Sequence, residues 1–148
     1  MELTREEKIE LTRKEFKLKP KDLYLKNNKI YLCGKPLDKW YKEMWEWMAE
    51  KGDENTHNRE FIYEHFNNLN VIKLLERDSY CFGCLYVSLV EDENNKDPCA
   101  YCPLCECEES KSTGCLDGLH HLYGKCLTIP KSRRDVAYYI ANLKWEWK

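Results

Sequence analysis

The sequence of 148 residues has no apolar run that approaches the roughly 18 residues needed to span a bilayer. Its opening stretch, MELTREEKIELTRKEF, is charged throughout and has no apolar centre like that of a signal peptide. The formal net charge of −2 also means that the overall basic excess typical of nucleic-acid-binding proteins is missing. We therefore expect a protein of the cytoplasm without a membrane partner.

Sequence signals of common enzymes and of repeat proteins are missing too. The chain has no glycine-rich phosphate-binding loop, no nucleophile elbow, no internal repeat and no low-complexity linker. Its length suffices for one hydrophobic core and a small additional subdomain. We expect two parts that can form one compact unit: a helical and hairpin part over residues 1–79, and a cysteine-rich module with a C-terminal helix over residues 80–148.

Cysteine, by contrast, is abundant, with nine residues in the chain. Eight of them lie close together in the sequence: Cys81, Cys84, Cys99, Cys102, Cys105, Cys107, Cys115 and Cys126. In a reducing compartment such clustered thiols are more often metal ligands than disulfide partners. Two cysteines separated by two residues can both point at one ion, and two such pairs form a tetrahedral zinc site. The first predicted ligand set is Cys81, Cys84, Cys99 and Cys102.

The spacing leaves other metal arrangements open. The pair Cys102 and Cys105 can replace the pair Cys99 and Cys102, since seventeen residues then separate it from Cys84. A second zinc ion has a candidate set in Cys105, Cys107, Cys115 and Cys126, with His120 or His121 able to replace one of them. The less favoured metal is an iron-sulfur cluster on the Cys99, Cys102 and Cys105 run. Some of these cysteines can also be plain buried thiols.

Two catalytic interpretations are weaker than a structural one. Pro98, Cys99 and Cys102 match half of a zinc deaminase signature, but no His-x-Glu or Cys-x-Glu precedes them. His120 and His121 resemble part of a metal-dependent nuclease, although no matching Asn and His follow. With many thiolates and few histidines, a saturated structural site is favoured, and we expect no enzyme activity. A nuclease around His120 and His121 is kept as an alternative.

Outside the cysteine-rich segment, periodicity predicts several elements. Thr4-x-x-Glu7 indicates a capping box that opens a helix to about Phe16, and the pair Asn27-Asn28 indicates a two-stranded hairpin. A helix capped by Asp38 is predicted to end before Gly52, with its tryptophans and methionines in the core. A second helical pattern follows from His57, broken at NNLN, with His65 predicted to find a local hydrogen bond. The chain closes with a helix whose predicted core stripe is Val136, Tyr139, Ile140, Leu143 and Trp147.

Charge is unevenly distributed, which bears on possible partners. Residues 13–42 carry ten Lys or Arg and three Asp or Glu, a net +7, whereas residues 43–109 carry five and sixteen, a net −11. The basic segment supports an alternative function as a nucleic-acid-binding zinc ribbon, with Tyr24, Tyr31 and Trp40 as stacking groups.

The motifs CFGC, CAYCPLC, GCLDG and HHLYGKC, followed by the closing helix, are similar to a group of small, uncharacterised cysteine-rich phage-type zinc-binding proteins. The resemblance covers about the last 70 residues and implies Cys81, Cys84, Cys99, Cys102 and Cys115 as the shared cysteines. It implies a phage or mobile-element origin and, by analogy, binding to a host protein, as in anti-CRISPR inhibitors of host defence.

Taken together, we expect an α+β fold with a mainly helical N-terminal part, a small β-hairpin and a loop-rich, zinc-stabilised C-terminal module closed by a helix. The expected function is non-enzymatic protein-protein interaction, with one or two structural zinc ions and a host protein or complex as partner.

Overall fold

The computed structural model describes residues 3–51, 58–78, 80–90 and 133–142, together with Trp145 and Trp147. Within these residues the architecture is mostly helical with a small antiparallel sheet, so the expected mixture of helix and sheet is confirmed. The elements, in chain order, are α1 (Arg5–Phe16), β1 (Leu23–Lys26), β2 (Lys29–Leu32), β3 (Lys35–Pro36), α2 (Leu37–Lys51), α3 (Asn58–His65), α4 (Leu69–Arg77), α5 (Phe82–Val90) and α6 (Arg133–Ala141).

The predicted capping box at α1 is present. The Thr4 hydroxyl accepts the N–H of Glu7 at 3.1 Å, and the Glu7 carboxylate accepts the N–H of Thr4 at 3.0 Å. Both backbone groups would otherwise lack helical partners. The hydrogen bond from the Thr4 N–H, and then the Thr4 side chain, lower the pKa of the Glu7 carboxyl because they favour its charged form. Helix α1 ends at Phe16, as the sequence predicts.

The sheet has one more strand than the predicted hairpin, in the order β1, β2, β3. Asn27 and Asn28 both have positive φ, as the tight turn between β1 and β2 requires. Cys33 and Gly34, with φ of 51° and 88°, make a second such turn, and Leu32 then pairs with Lys35. Strand β3 runs directly into α2.

Helix α2 lies at the centre of the core. Trp45 and Met44 are fully buried, and the Tyr41 hydroxyl donates to the carbonyl of Ile140 at 2.9 Å. The prediction that Asp38 caps this helix is wrong, because α2 begins at Leu37 and Asp38 lies within its first turn. There its negative charge favours the helix N-terminus without the capping geometry.

The predicted break in the second helical pattern is confirmed. Asn68 caps α4 with its side chain, which accepts the N–H groups of Asn70 and Val71. Leu69, the first residue of α4, is 72% exposed.

Residues 82–90 correct the expectation of a loop-rich segment after Tyr80. They form α5, in which Phe82, Leu85, Tyr86, Leu89 and Val90 are buried in the main cluster. Because this stretch carries no charged side chain, the helix can be buried on most sides without desolvating any charge. The following residues 91–132 lie outside the described part of the chain.

Helix α6 packs against α2, and the core includes residues on both sides of the predicted boundary between residues 79 and 80. Ala137 and Ile140 are fully buried. Tyr139, predicted in the core stripe, is 39% exposed, whereas Ala137 takes the place on the buried face. Small residues let two helices approach closely, which explains why alanine lies there.

Among the residues that the structure describes, no helix is long and apolar enough to cross a membrane.

Candidate metal centre

Cys81 and Cys84 lie at the start of α5. Cys81 directly precedes the helix, and its carbonyl accepts the N–H of Leu85 at 3.0 Å. Its sulfur accepts the N–H of Cys84 at 3.4 Å, so the turn between the two cysteines wraps a backbone donor around the first sulfur. The N-terminal end of a helix favours negative charge, and a thiolate is the form of cysteine that binds metal. The two cysteines therefore share one turn at a helix start, where negative charge is favoured.

The turn that carries Cys81 is fixed by Asp78. The Asp78 carboxylate accepts the Ser88 hydroxyl at 2.8 Å and an Arg77 guanidinium N–H at 2.9 Å. The N–H of Cys81 donates to the carbonyl of Asp78 at 3.2 Å. Because Ser88 belongs to α5 and Arg77 ends α4, these bonds join the two helices on either side of the cysteine pair.

Cys81 is also held by burial. Its side chain is 4% exposed, whereas Cys84, three residues later, is half-buried. The neighbouring Phe82 is fully buried and its ring packs against those of Trp40, Phe61 and Phe66. Cys81 is thus part of the buried core, whereas Cys84, in the first turn of α5, is only half-buried.

Tyr80 precedes the pair and contacts α3. The hydroxyl oxygens of Tyr63 and Tyr80 lie 3.4 Å apart. This hydrogen bond is the main cause that raises the pKa of Tyr80 to about 12, with desolvation and Glu76 adding to it. The phenol beside Cys81 is therefore neutral near pH 7, which makes it a hydrogen-bonding neighbour and not an anionic ligand.

The described residues contain no group of three or more His, Cys, Asp or Glu side chains that could hold a metal ion. The other predicted ligands lie outside the described part of the chain: Cys99, Cys102, Cys105, Cys107, Cys115 and Cys126, as do His120 and His121. The structure brings Cys81 and Cys84 together, and the complete ligand set stays a prediction.

Cys33, the cysteine outside the cluster, has a different environment. It is exposed and lies in the turn before β3, where its N–H donates to the carbonyl of Asp22 at 2.9 Å. Desolvation by the surrounding protein and then the charge of Asp22 raise the pKa of the Cys33 thiol to about 11. This thiol is protonated at neutral pH and is a poor nucleophile or metal ligand.

His65 has the local hydrogen bond that the sequence predicts. Its Nδ1 lies 2.8 Å from the carbonyl oxygen of Phe61, and its ring stacks on that of Phe61 at 3.9 Å between centroids. The residue is exposed at the end of α3, whereas Ile62 and Phe66 on either side of it in the sequence are buried.

Sequence reasoning missed Asp78 and Ser88 as the residues that position the cysteine pair. A signal for α5 itself was available, since FGCLYVSLV is an uncharged run of helical length. No comparable signal links Asp78 to Ser88, because that contact depends on the angle between α4 and α5.

No family model matches the chain, and neither a curated protein nor a solved structure matches it.

Proposed function

We propose that the chain is a non-enzymatic protein-interaction module in which Cys81 and Cys84 hold a structural zinc ion. The observation that carries this proposal is the hydrogen bond from the Cys84 N–H to the Cys81 sulfur, 3.4 Å long, at the start of α5. A backbone donor on a ligating sulfur orients that ligand and balances its charge. In the proposal, the Cys81 sulfur oriented in this way and the Cys84 sulfur, three residues on, bind the same ion.

A structural ion fits these two residues better than a catalytic one. Cys81 is 4% exposed and is anchored to the core, so water reaches this side of the site poorly. Structural zinc sites use four protein ligands, whereas catalytic sites keep one position for water or substrate. Cys99 and Cys102 are the proposed remaining ligands, and a bound zinc ion would supply folding free energy to the segment that contains them.

The tryptophans of α2 are poor candidates for the contact with a partner. Trp40 and Trp45 are buried, and the Trp40 Nε1 donates to the carbonyl of Leu32 at 2.7 Å. Trp47 packs on Phe61 and His65. These side chains stabilise the fold. We therefore assign the proposed partner-binding surface to the acidic region over residues 43–109.

The resemblance to phage-type proteins makes a bacterial host protein the proposed partner, with inhibition of a host defence complex as the proposed outcome. The test is affinity capture from bacterial extract with the full chain as bait, after nuclease treatment. We expect a host protein to be captured by the wild type and by Cys33→Ser, and lost with the Cys81→Ser/Cys84→Ser variant. Because Cys33 lies outside the pair, it controls for loss of a thiol alone.

Capture that depends on intact nucleic acid, or that survives the double substitution unchanged, would contradict zinc-dependent protein binding. Cleavage of nucleic acid by the purified chain, abolished by His120→Ala/His121→Ala, would establish the nuclease alternative instead.

A further inference from the structure

The outer face of the small sheet carries a stacked pair of tyrosines. Tyr24 and Tyr31 are direct cross-strand partners, and their ring centroids lie 5.0 Å apart with an angle of 7° between the planes. Leu23, Ile30 and Leu32 point to the opposite face and are fully buried. Because side chains alternate along a strand, the tyrosine pair lies on the solvent side of the sheet.

The Tyr24 ring is half-buried, with Tyr31 stacked on one side of it. Strand β1 is at the edge of the sheet, and α1 lies beside it. Within the described residues no other ring contacts Tyr24. The stacked partner orients Tyr24, and the exposed part of its ring is an aromatic surface on which another flat ring can stack.

Two lysines lie beside this pair on the same face. Lys26 and Lys29 are direct cross-strand partners, and both are exposed. In the part of the chain that the structure describes, neither forms an ion pair with a carboxylate. Like charges placed directly opposite each other destabilise a hairpin. The stability of the fold therefore gives no reason to place these two lysines opposite each other. Binding of an external anion would relieve their repulsion.

The surroundings of the hairpin are also positively charged. Residues 17–35 include six lysines and a single acidic residue, Asp22, giving a net +5. Asp22 is buried, and its carboxylate accepts the N–H of Lys19 at 2.9 Å. An open cleft of about 430 Å³ at the C-terminal half of α1 is lined by Arg13, Lys14 and Lys17, together with one acidic residue, Glu10. Arg13 joins this cleft to the sheet, since its guanidinium donates to the carbonyl of Leu23 at 2.8 Å.

We propose that this face binds single-stranded nucleic acid, with a base stacked on Tyr24 and phosphates on Lys26 and Lys29. An aromatic surface beside a row of cations fits a polymer that carries both flat rings and negative charges. A duplex keeps its bases stacked inside and offers no free ring to Tyr24. Trp40 has no part in this surface because it is buried. The inference is independent of the proposed zinc site.

The first test measures fluorescence anisotropy of a labelled oligonucleotide of about 12 nucleotides, as single strand and as duplex, with the full chain. Tyr24→Leu removes the ring, and we expect binding to the single strand about tenfold weaker than that of the wild type. Tyr24→Phe keeps the ring and is expected to bind like the wild type. Retained binding by Tyr24→Leu, or equal affinity for duplex and single strand, would overturn the proposal.

The second test uses salt. Lys26→Gln/Lys29→Gln is expected to reduce the slope of log affinity against log salt by about 1.4, which corresponds to two lost phosphate contacts on a single strand. Lys39→Gln/Lys73→Gln removes the same charge from exposed positions on α2 and α4, and the slope is expected to stay unchanged. No binding by the wild type at low salt, or equal slopes in both double variants, would refute the assignment.

Discussion

Cys33 and Cys81 lie in opposite chemical environments within one fold. Cys33 is exposed beside a carboxylate, and its pKa is raised to about 11. Cys81 is buried at the start of a helix, and its sulfur accepts a backbone N–H. Sequence spacing separates them correctly, since Cys33 lies far from the other eight cysteines. The difference between their surroundings can be seen only in the folded structure.

The raised pKa of Cys33 gives a prediction about its reactivity. Only the thiolate reacts with iodoacetamide, so alkylation of Cys33 should be slow near pH 7 and increase as the pH rises towards about 11. Asp22→Asn removes the nearby negative charge but keeps an oxygen acceptor, and should shift this rate curve to lower pH. Mass spectrometry of the Cys33 peptide measures the extent of modification. Alkylation near pH 7 as fast as in the unfolded chain would contradict the prediction.

At the scale of elements, the sequence predicts those helix ends and turns that depend on a few adjacent residues. The capping box of α1, the Asn27-Asn28 turn and the helix break at NNLN each depend on a few adjacent residues, and all three are confirmed. The third strand was missed because the Cys33-Gly34 turn is followed by only two strand residues. The start of α2 was misplaced by two residues, since a cap at Asp38 puts the first helical residue at Lys39, whereas β3 leads straight into a helix that begins at Leu37.

Helix α1 provides a test of capping. Thr4→Ala removes the acceptor for the Glu7 N–H, and we expect the free energy of unfolding to fall by about 1 kcal/mol. Thr4→Ser keeps the hydroxyl and should be close to neutral. Urea denaturation followed by circular dichroism measures both variants, and equal stability of Thr4→Ala and Thr4→Ser would show that this cap does not contribute.

The turn between α4 and α5 provides a second test. Asp78→Ala should lower the free energy of unfolding by about 1 kcal/mol, because the Ser88 hydroxyl loses its acceptor. Ser88→Ala should cost a similar amount, and the double variant should cost less than the sum of the two. Strictly additive losses in a double-mutant cycle would mean that the contact does not couple the helices.

At the scale of the whole molecule, the core is shared across the predicted boundary. Residues of α2, α5 and α6 belong to the same buried cluster. Such pairing of distant segments has no local sequence signal, which is why two parts were predicted from composition. The metal ligands inferred from spacing stay a prediction, and the burial of Cys81 in the core could not be inferred from spacing.

The shared core predicts cooperative unfolding. Ile140 is fully buried against α2, so Ile140→Ala should lower the free energy of unfolding by about 2–5 kcal/mol. The far-UV signal and the tryptophan fluorescence should shift together in one transition. Lys39→Ala, at an exposed position of α2, serves as a control and should be nearly neutral. Two separate transitions would instead support independent parts.

The metal content of the full chain, purified without added metal, tests the central claim most directly. Plasma mass spectrometry and a visible spectrum should show about one or two zinc ions per chain and no colour. The Cys81→Ser/Cys84→Ser variant should lose zinc, whereas Cys33→Ser should keep all of it. A chain without metal, or one that contains iron and absorbs in the visible range, would contradict a zinc site on Cys81 and Cys84.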